Sequence, residues 1–354
     1  MRGNRKKALT WSAAIVVAGA AGWFLLPKLH ELGHTWSRVS SGRPGWLLVA
    51  VGLEILSFLG YMGLFRAVFA RSGSRIGWRE SYEITMAGLA ATRLLAAGGA
   101  GGVALTAWAL KRSGMDGRTV ARRMTSFLVI LYGVYMAALL VFGVSLYVGL
   151  LSGSAPVGLT LVPAAFGALV IIAALSLSRL RGVTGVAAPE SSRAIVRRAK
   201  WLGHSVAAGV RGALGLFRSR EPGLLGAIAW WGFDIAVLWA AFHAFGHVPP
   251  VGVIVMAYFV GTLANTLPLP GGIGGVDGGM IGAFLAFGVD PGTAVLAVLA
   301  YRAIAFWLPT LPGGIAYFQL RRTMGEWKAA EAGAAETLQP APAPAAAPAQ
   351  VAVA

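Results

Sequence analysis

The chain has 354 residues, 57% hydrophobic and only 12% charged, with a mean hydropathy of +0.70, values that exclude an ordinary water-soluble globular enzyme. Thirty Lys and Arg against 13 Asp and Glu leave a net charge of +17, which suits nucleic acid or anionic lipid. Apolar runs of about 18 residues or more recur along the length, so membrane lipid is the more economical partner and no nucleic acid is expected. There is no cysteine, so disulfide and thiol chemistry are excluded.

In chain order, a basic start (Arg2, Arg5, Lys6, Lys7) precedes an apolar stretch, Thr10 to Pro27, that lacks a signal-peptide cleavage pattern and reads as a retained first span. Gly45 to Ala70 is long enough to cross about 30 Å of hydrocarbon as a helix. Ser81 to Leu110 is interrupted by Gly98, Gly99, Gly101 and Gly102 and reads as two short helices around a break. Thr125 to Leu151 and Val157 to Ser178 predict straight spans, followed by a basic loop over 179–222. Gly223 to Gly246 predicts another span, and Val251 to Gly288 is a second broken segment, punctuated by Pro268, Pro270, Gly271, Gly272, Gly274 and Gly275. Gly292 to Gln319 is the sixth straight span. The expected architecture is an all-α polytopic membrane bundle over residues 1–328. An Ala- and Pro-rich tail, 329–354, is too poor in large apolar residues to fold. Backbone opened at membrane depth is tolerated only inside protein or against a water-filled cavity, so both breaks belong within the bundle.

Treating each broken segment as a hairpin that returns to its starting side puts 24 of the 30 cations on one side and only Lys28, Arg38 and Arg43 on the other. The positive-inside rule makes the first side cytoplasmic, with both termini there, in a cell membrane. The hairpins also resemble each other. GGAGGV at Gly98 to Val103 recurs as GGIGGV at Gly271 to Val276, and GMDGRT at Gly114 to Thr119 recurs as GVDPGT at Gly288 to Thr293. On this topology the two units enter the membrane from opposite sides. That is an inverted repeat, each half containing a Gly- or Pro-broken re-entrant hairpin, and in transporters such paired breaks point to a site near the midplane. The alternative is that the glycines serve close helix packing alone.

The run NTLPLPGGIGGVDGGMIGAFLAFGVDPGTAVLAVLAYRAIAFWLPTLPGG, Asn265 to Gly314, resembles the signature of the lysylphosphatidylglycerol synthase transmembrane-region family, also called flippase-like integral membrane proteins. Pro270, Gly271, Gly272, Gly274 and Asp277 match its hairpin, with Asp277 where many members have Glu. Tyr301, Arg302, Trp307 and Pro309 match its last helix. The first half departs: AAGGAGGV and ARRMTSFLV stand where many members have a Pro-Gly-Arg-x-Gly-Glu-like run and a Glu-Arg pair. The resemblance implies a membrane module that binds or flips anionic or polyprenyl-linked lipids, in some members ahead of a soluble aminoacyl-transferase domain. The Ala/Pro tail stands where that domain would follow, so tRNA-dependent lipid aminoacylation is not expected of this polypeptide.

Ionisable groups inside apolar spans each cost roughly 2.5–3.5 kcal/mol, so Glu54, Arg93, Asp234, Asp277 and Arg302 require a partner or a wet cavity. Arg302 and Asp277 are expected to approach each other or share a lipid phosphate, with a buried structural ion pair as the alternative. Arg93, just before the first break, can bind phosphate bidentately, whereas Arg66, near a span end, is expected to snorkel. Asn265 and Thr266 either donate to a head group or cap an interrupted helix, while the amides of Gly271, Gly272 and Gly274 can form an anion-binding nest. With Tyr301 these residues make up the candidate lipid site.

Within the basic loop, Arg193, Arg197, Lys200, His204, Arg211 and Arg218 recur at helical spacing opposite Ile195, Leu202, Val206, Val210 and Phe217. This reads as an amphipathic helix on the inner leaflet, able to draw about 1 kcal/mol per cation from anionic lipid, or as a solvated connector weakened by Gly203, Gly209, Gly212 and Gly215. His30-Glu31-Leu32-Gly33-His34 satisfies H-E-x-x-H, the zinc-protease pattern, but it falls in an outer loop where a short interfacial helix explains it, and no metal is assigned. The tryptophans Trp11, Trp23, Trp36, Trp46, Trp78, Trp230, Trp231 and Trp307 read as an interfacial belt. With no P-loop in the sequence, the expected function is binding and flipping of a lipid, without covalent chemistry or a cofactor. The alternative is a non-transporting subunit that presents lipid to a separate lipid-modifying enzyme.

Overall fold

Helix starts in this chain are set by residues that supply what a helix N-terminus lacks. In the computed structural model, which describes residues 42–70, 75–94, 100–179, 194–263 and 274–337, Pro44 opens α1 (Pro44–Phe69) with its φ already fixed and no N–H to leave unpaired. Two hairpin arms follow, α2 (Trp78–Leu94) and α3 (Ala100–Arg112). Asp116 caps α4 (Gly117–Tyr147), its carboxylate accepting from the amides of Arg118 and Thr119 at 3.0 Å each. A 3₁₀ turn (Val157–Leu159) leads into α5 (Leu161–Arg179), and α6 (Ala194–Arg218) forms the connector. The second half repeats the order: α7 (Leu225–Phe245), the arms α8 (Val251–Thr262) and α9 (Gly275–Ala286), then α10 (Pro291–Arg302). A π turn over Ala303–Trp307 separates α10 from α11 (Thr310–Thr337). No strand occurs among the described residues.

Five stretches are long and apolar enough to cross a membrane: Pro44–Phe69, Gly117–Tyr147, Val157–Arg179, Pro222–Phe245 and Pro291–Ala330. They correspond to five of the six predicted straight spans; the sixth, Thr10 to Pro27, lies outside the described residues. Boundaries moved where local chemistry overrides hydropathy. The span expected from Thr125 begins at Gly117 because the Asp116 cap carries the helix through the basic residues. The last helix continues to Thr337, beyond the Ala329 at which the tail was expected to begin. Gly101 and Gly102 do not break a helix; they lie in the first turn of α3. Residues 95–99 and 264–273, with most of the other expected breaks, lie outside the described residues.

The arms α8 and α9 have 12 residues each, about 18 Å of helix, too short to span alone. Each arm packs on its neighbour through glycine. A Cβ on Gly88 would meet Thr106 Oγ1 at 3.0 Å, and one on Gly102 would strike Thr92 and the Gly88 carbonyl, so α2 and α3 run antiparallel in close contact. In the second hairpin Gly261 and Gly279 meet in the same way.

The longest interface joins α1 to α7, also antiparallel. Arg43 N–H donates to Ala244 O at 3.1 Å, Trp46 lies edge-on to Trp239, and Ser57 Oγ donates to Trp230 O at 2.9 Å. Beyond them Gly60 and Gly226 bring the backbones together, where a Cβ on Gly226 would sit 2.7 Å from Leu64 N. Close approach of this kind is how helices associate where lipid tails leave no hydrophobic force between them. Leu48, Ile55 and Leu59 of α1, Val162, Leu169 and Ile172 of α5, and Leu311, Ile315 and Phe318 of α11 remain exposed, an apolar girdle of a kind that water-soluble monomers avoid.

Gly226→Ala is expected to lower the thermal midpoint in detergent, through overpacking worth about 1–3 kcal/mol, whereas Gly52→Ala, with open space around it, should leave it unchanged or raise it slightly. Hydrogen bonds from Thr119 and Thr293 hold the Asp116 and Asp290 carboxyls below the usual aspartate value. Their contribution is therefore full above the unfolded value of about 3.9 and is lost as pH falls through the lower folded values. Unfolding midpoints measured from about pH 6 down to about pH 3 should fall less steeply for the Asp116→Asn, Asp290→Asn double variant than for the parent.

Candidate lipid-binding site

A cavity of about 510 Å³ lies where the two halves meet. Its wall takes Tyr61 and Phe65 from α1, Arg93 and Gly102 from the first hairpin, Tyr135 from α4, Trp231 and Asp234 from α7, Tyr258 from α8, and Tyr301, Arg302 and Phe306 from α10 and the π turn. Apolar walls with a few convergent polar groups are the usual form of a site for an amphiphile.

Arg93 ends the first arm of hairpin one and crosses to the other half. Its Nη1 donates to Phe306 O at 3.0 Å and its Nη2 to Ala305 O at 2.9 Å. Those carbonyls are available for a sequence reason. Pro309 has no N–H to return to Ala305 four residues back, and the π turn loosens the same stretch. A fork of two parallel donors suits two adjacent carbonyls, and arginine supplies it; Phe306 O also accepts from Thr310 Oγ1 at 2.6 Å. The guanidinium also stands 5.7 Å from the Phe58 ring and 5.4 Å from Phe306.

Asp234 faces the cavity from α7 and accepts from the hydroxyls of Tyr258 and Tyr301, the latter at 2.8 Å. Directly across the α1–α7 interface lies Glu54, only 2% exposed. On the far wall Arg302 Nε lies 2.6 Å from Asp277 Oδ1, with the Arg302 guanidinium 4.4 Å from the Phe306 ring. Asp277 thus ties the returning arm of hairpin two to the last span, and its second oxygen accepts from Gly274 N–H at 3.0 Å. Gly274 sits at φ +82°, a conformation that favours glycine, and its amide is engaged by Asp277. Tyr135 donates to Phe259 O at 2.6 Å and Trp231 Nε1 to Leu131 O at 2.8 Å, closing the aromatic side.

Of the residues singled out from sequence, the structure brings Arg93, Tyr301 and Arg302 to one cavity and Asp277 to its edge. Asn265, Thr266, Gly271 and Gly272 lie outside the described residues, as do the H-E-x-x-H run 30–34 and Arg193. Arg197 and Lys200 fall in the first turns of α6. Arg211 is half-buried and Arg218 exposed, with Val206 and Phe217 exposed near them. The α6 glycines do more than weaken a helix. Gly209 and Gly212 seat it on α4, where Ser126 Oγ donates to Gly209 O at 3.0 Å and a Cβ would collide with Thr125 and Ser126. Arg66 donates to Ser81 Oγ at 3.2 Å with its guanidinium 4.0 Å over the Trp78 ring, near the end of α1.

One expectation changes. Trp230 and Trp231 are not belt residues but line the cavity; the span starts where hydropathy puts it, but hydropathy does not say which way the side chains near its start face. Glu83 drew no notice in the sequence, yet it is 1% exposed, with Oε1 2.9 Å from Arg79 Nε and Oε2 accepting from Thr323 Oγ1 at 2.8 Å. The Thr partner lies 240 residues away, so no local pattern could reveal it.

Replacing Arg93 by Leu removes both donors; Phe306 O keeps Thr310 Oγ1, while loss of the bond to Ala305 O costs about 1–3 kcal/mol. The variant should unfold well below the parent in a detergent melt, and Arg93→Lys, with its charge but no fork, should fall between them. A wild-type melt for Arg93→Leu would contradict the bridging role.

Residues 11–313 match the lysylphosphatidylglycerol synthase TM region family. A UPF0104 membrane protein of Methanocaldococcus jannaschii is 33% identical over 97 residues, 27% of this chain and 29% of that protein. One from Methanothermobacter thermautotrophicus is 36% identical over 91 residues, 25% and 27% of the two chains, and one from Pyrococcus horikoshii 33% identical over 95 residues, 27% and 28%. The aligned stretch thus spans under a third of each of these relatives.

Proposed function

The chain belongs to the lysylphosphatidylglycerol synthase transmembrane-region family, and from that membership and the charged cavity at the meeting of its halves we propose that it binds an anionic or polyprenyl-linked lipid and moves the head group between leaflets. The observation that carries the reading is the pairing of Arg93 from one half with Arg302 from the other around one apolar-walled cavity. Arg93 is held by two backbone carbonyls and Arg302 by Asp277; an anionic head group can share those charges while its chains take the aromatic walls.

The two halves are read as an inverted repeat with re-entrant hairpins. Ser57 and Trp230, which hydrogen-bond across the central antiparallel pair, are 173 residues apart, the offset that relates the two Gly-rich motifs. Gly88 and Gly261 share that offset and the same job in their hairpins. Asp116 and Asp290 occupy matching places in the second recurrent motif, and each caps the helix after its hairpin. On this reading both termini and α6 face the cytoplasm at the cell membrane, α6 gathers acidic lipid, and no covalent bond is made or broken.

Purified protein in liposomes carrying fluorescent phosphatidylglycerol tests the transport. Reduction from outside should quench the inner-leaflet fluorescence as well as the outer, and protein-free liposomes should retain the inner share. Binding without such loss would instead favour a subunit that presents lipid to another enzyme. In native mass spectrometry, Arg302→Ala should lose the anionic lipid that the parent carries; an unchanged lipid profile with lowered stability would mean that Arg302 is a structural partner of Asp277 alone.

A further inference from the structure

Glu54 is the one carboxylate among the described residues whose two oxygens are both buried without a hydrogen-bond donor, in the middle of a span where such a group is expensive. Its neighbour across the α1–α7 interface is Asp234, whose carboxylate lies within hydrogen-bonding reach. Two ionised carboxylates are both acceptors and repel; a single proton turns the same contact into a hydrogen bond. Asp234 already accepts from Tyr258 and Tyr301, whereas neither Glu54 oxygen has a donor, so a proton carried by Glu54 would donate to Asp234.

The elements packed around Glu54 bring several charged and titratable groups toward it. α7 presents Asp234; α2 presents Arg93, whose charge reaches both carboxylates. α10 presents Tyr301 and, farther off, Arg302; α8 presents Tyr258; α4 presents Tyr132 and Tyr135 to the same cavity. The π turn, Ala303–Trp307, has no titratable side chain. With all groups ionised, Glu54, Asp234 and Asp277 outweigh Arg93 and Arg302 by one negative charge, and one added proton makes the set neutral.

Resting on the lipid-binding reading above, we infer that Glu54 and Asp234 share one proton, and that its presence is linked to occupancy of the cavity by an anionic head group, making the protein a proton–anion symport device. A cavity lined by a neutral set accepts an anion more readily than one with a surplus carboxylate. The linkage is reciprocal: anion binding raises proton affinity, and protonation raises anion affinity by the same factor. The proton comes from water on one side and is released on the other with the head group, so no redox or bond-forming step is involved.

The test uses the full-length protein in a zwitterionic detergent with short-chain phosphatidylglycerol as probe. Affinity for phosphatidylglycerol should fall up to tenfold per pH unit above the titration of the pair, and binding in weak buffer should take up protons from solution. Glu54→Gln supplies a permanent amide donor to Asp234. It should bind with the affinity of the protonated parent, independent of pH and without proton uptake. In infrared spectra the parent should show a protonated-carboxyl stretch that Glu54→Gln lacks, a readout that requires no lipid. Phosphatidylglycerol binding of equal strength at all pH values would overturn the linkage while leaving the lipid-binding reading intact, and affinity that followed sodium instead of pH would overturn it too. Absence of binding at any pH would sink the lipid reading, and absence of the carboxyl stretch the shared proton.

Discussion

Where a chain opens its backbone or buries a charge at the depth of a bilayer, no water stands ready to complete the missing hydrogen bonds, and the partner must come from elsewhere in the protein. This requirement organises the molecule. Pro309 strips one carbonyl of its helical donor, and Arg93, more than two hundred residues earlier, supplies the replacement. Asp277 and Arg302 answer each other, Asp234 is answered by two tyrosines, and Glu83 by Arg79 and Thr323. In two of these, Arg93 with Ala305 and Thr323 with Glu83, the donor belongs to one half and the acceptor to the other. There, satisfying a polar group also joins the halves.

Glycine contributes in a second way. At the α1–α7 crossing, within both hairpins and between α4 and α6, the absence of a Cβ lets backbones approach to distances that any side chain would prevent. The resulting contacts fix helix separations, and so fix where Arg93, Asp234 and Tyr301 stand around the cavity. A glycine content that appears in the sequence as a weakness of individual helices is, in the folded protein, the means of seating one helix on another.

The spans were legible because bilayer thickness imposes a length and a composition on any helix that crosses it. Asp116 and Asp290 sit in a recurrent motif, so their matching places could be seen, though their capping geometry could not. The ionisable residues of the site could also be found in advance, since Glu54, Arg93, Asp234, Asp277 and Arg302 stand out against apolar surroundings. What could not be read is who pairs with whom. Nothing local to Arg93 points to the carbonyls of Ala305 and Phe306, and nothing local to Glu83 points to Thr323. Tyr258, lost among apolar neighbours, gives no sign that its hydroxyl serves Asp234. Trp231 was misassigned because hydropathy marks where a helix meets water, not which way its side chains turn.

The helices that close each half are traded. α11 lies along α2, held by Glu83 and Thr323 and by the approach of Gly313 to Met86 and Ala90, while α4 lies along α8 through Tyr135 and Phe259. Each hairpin is thereby braced by the opposite half as well as by its own, the second one through Asp277 with Arg302 and Tyr258 with Asp234. A tilt of either hairpin would have to carry a helix of the far half with it, so the two are geared to one another.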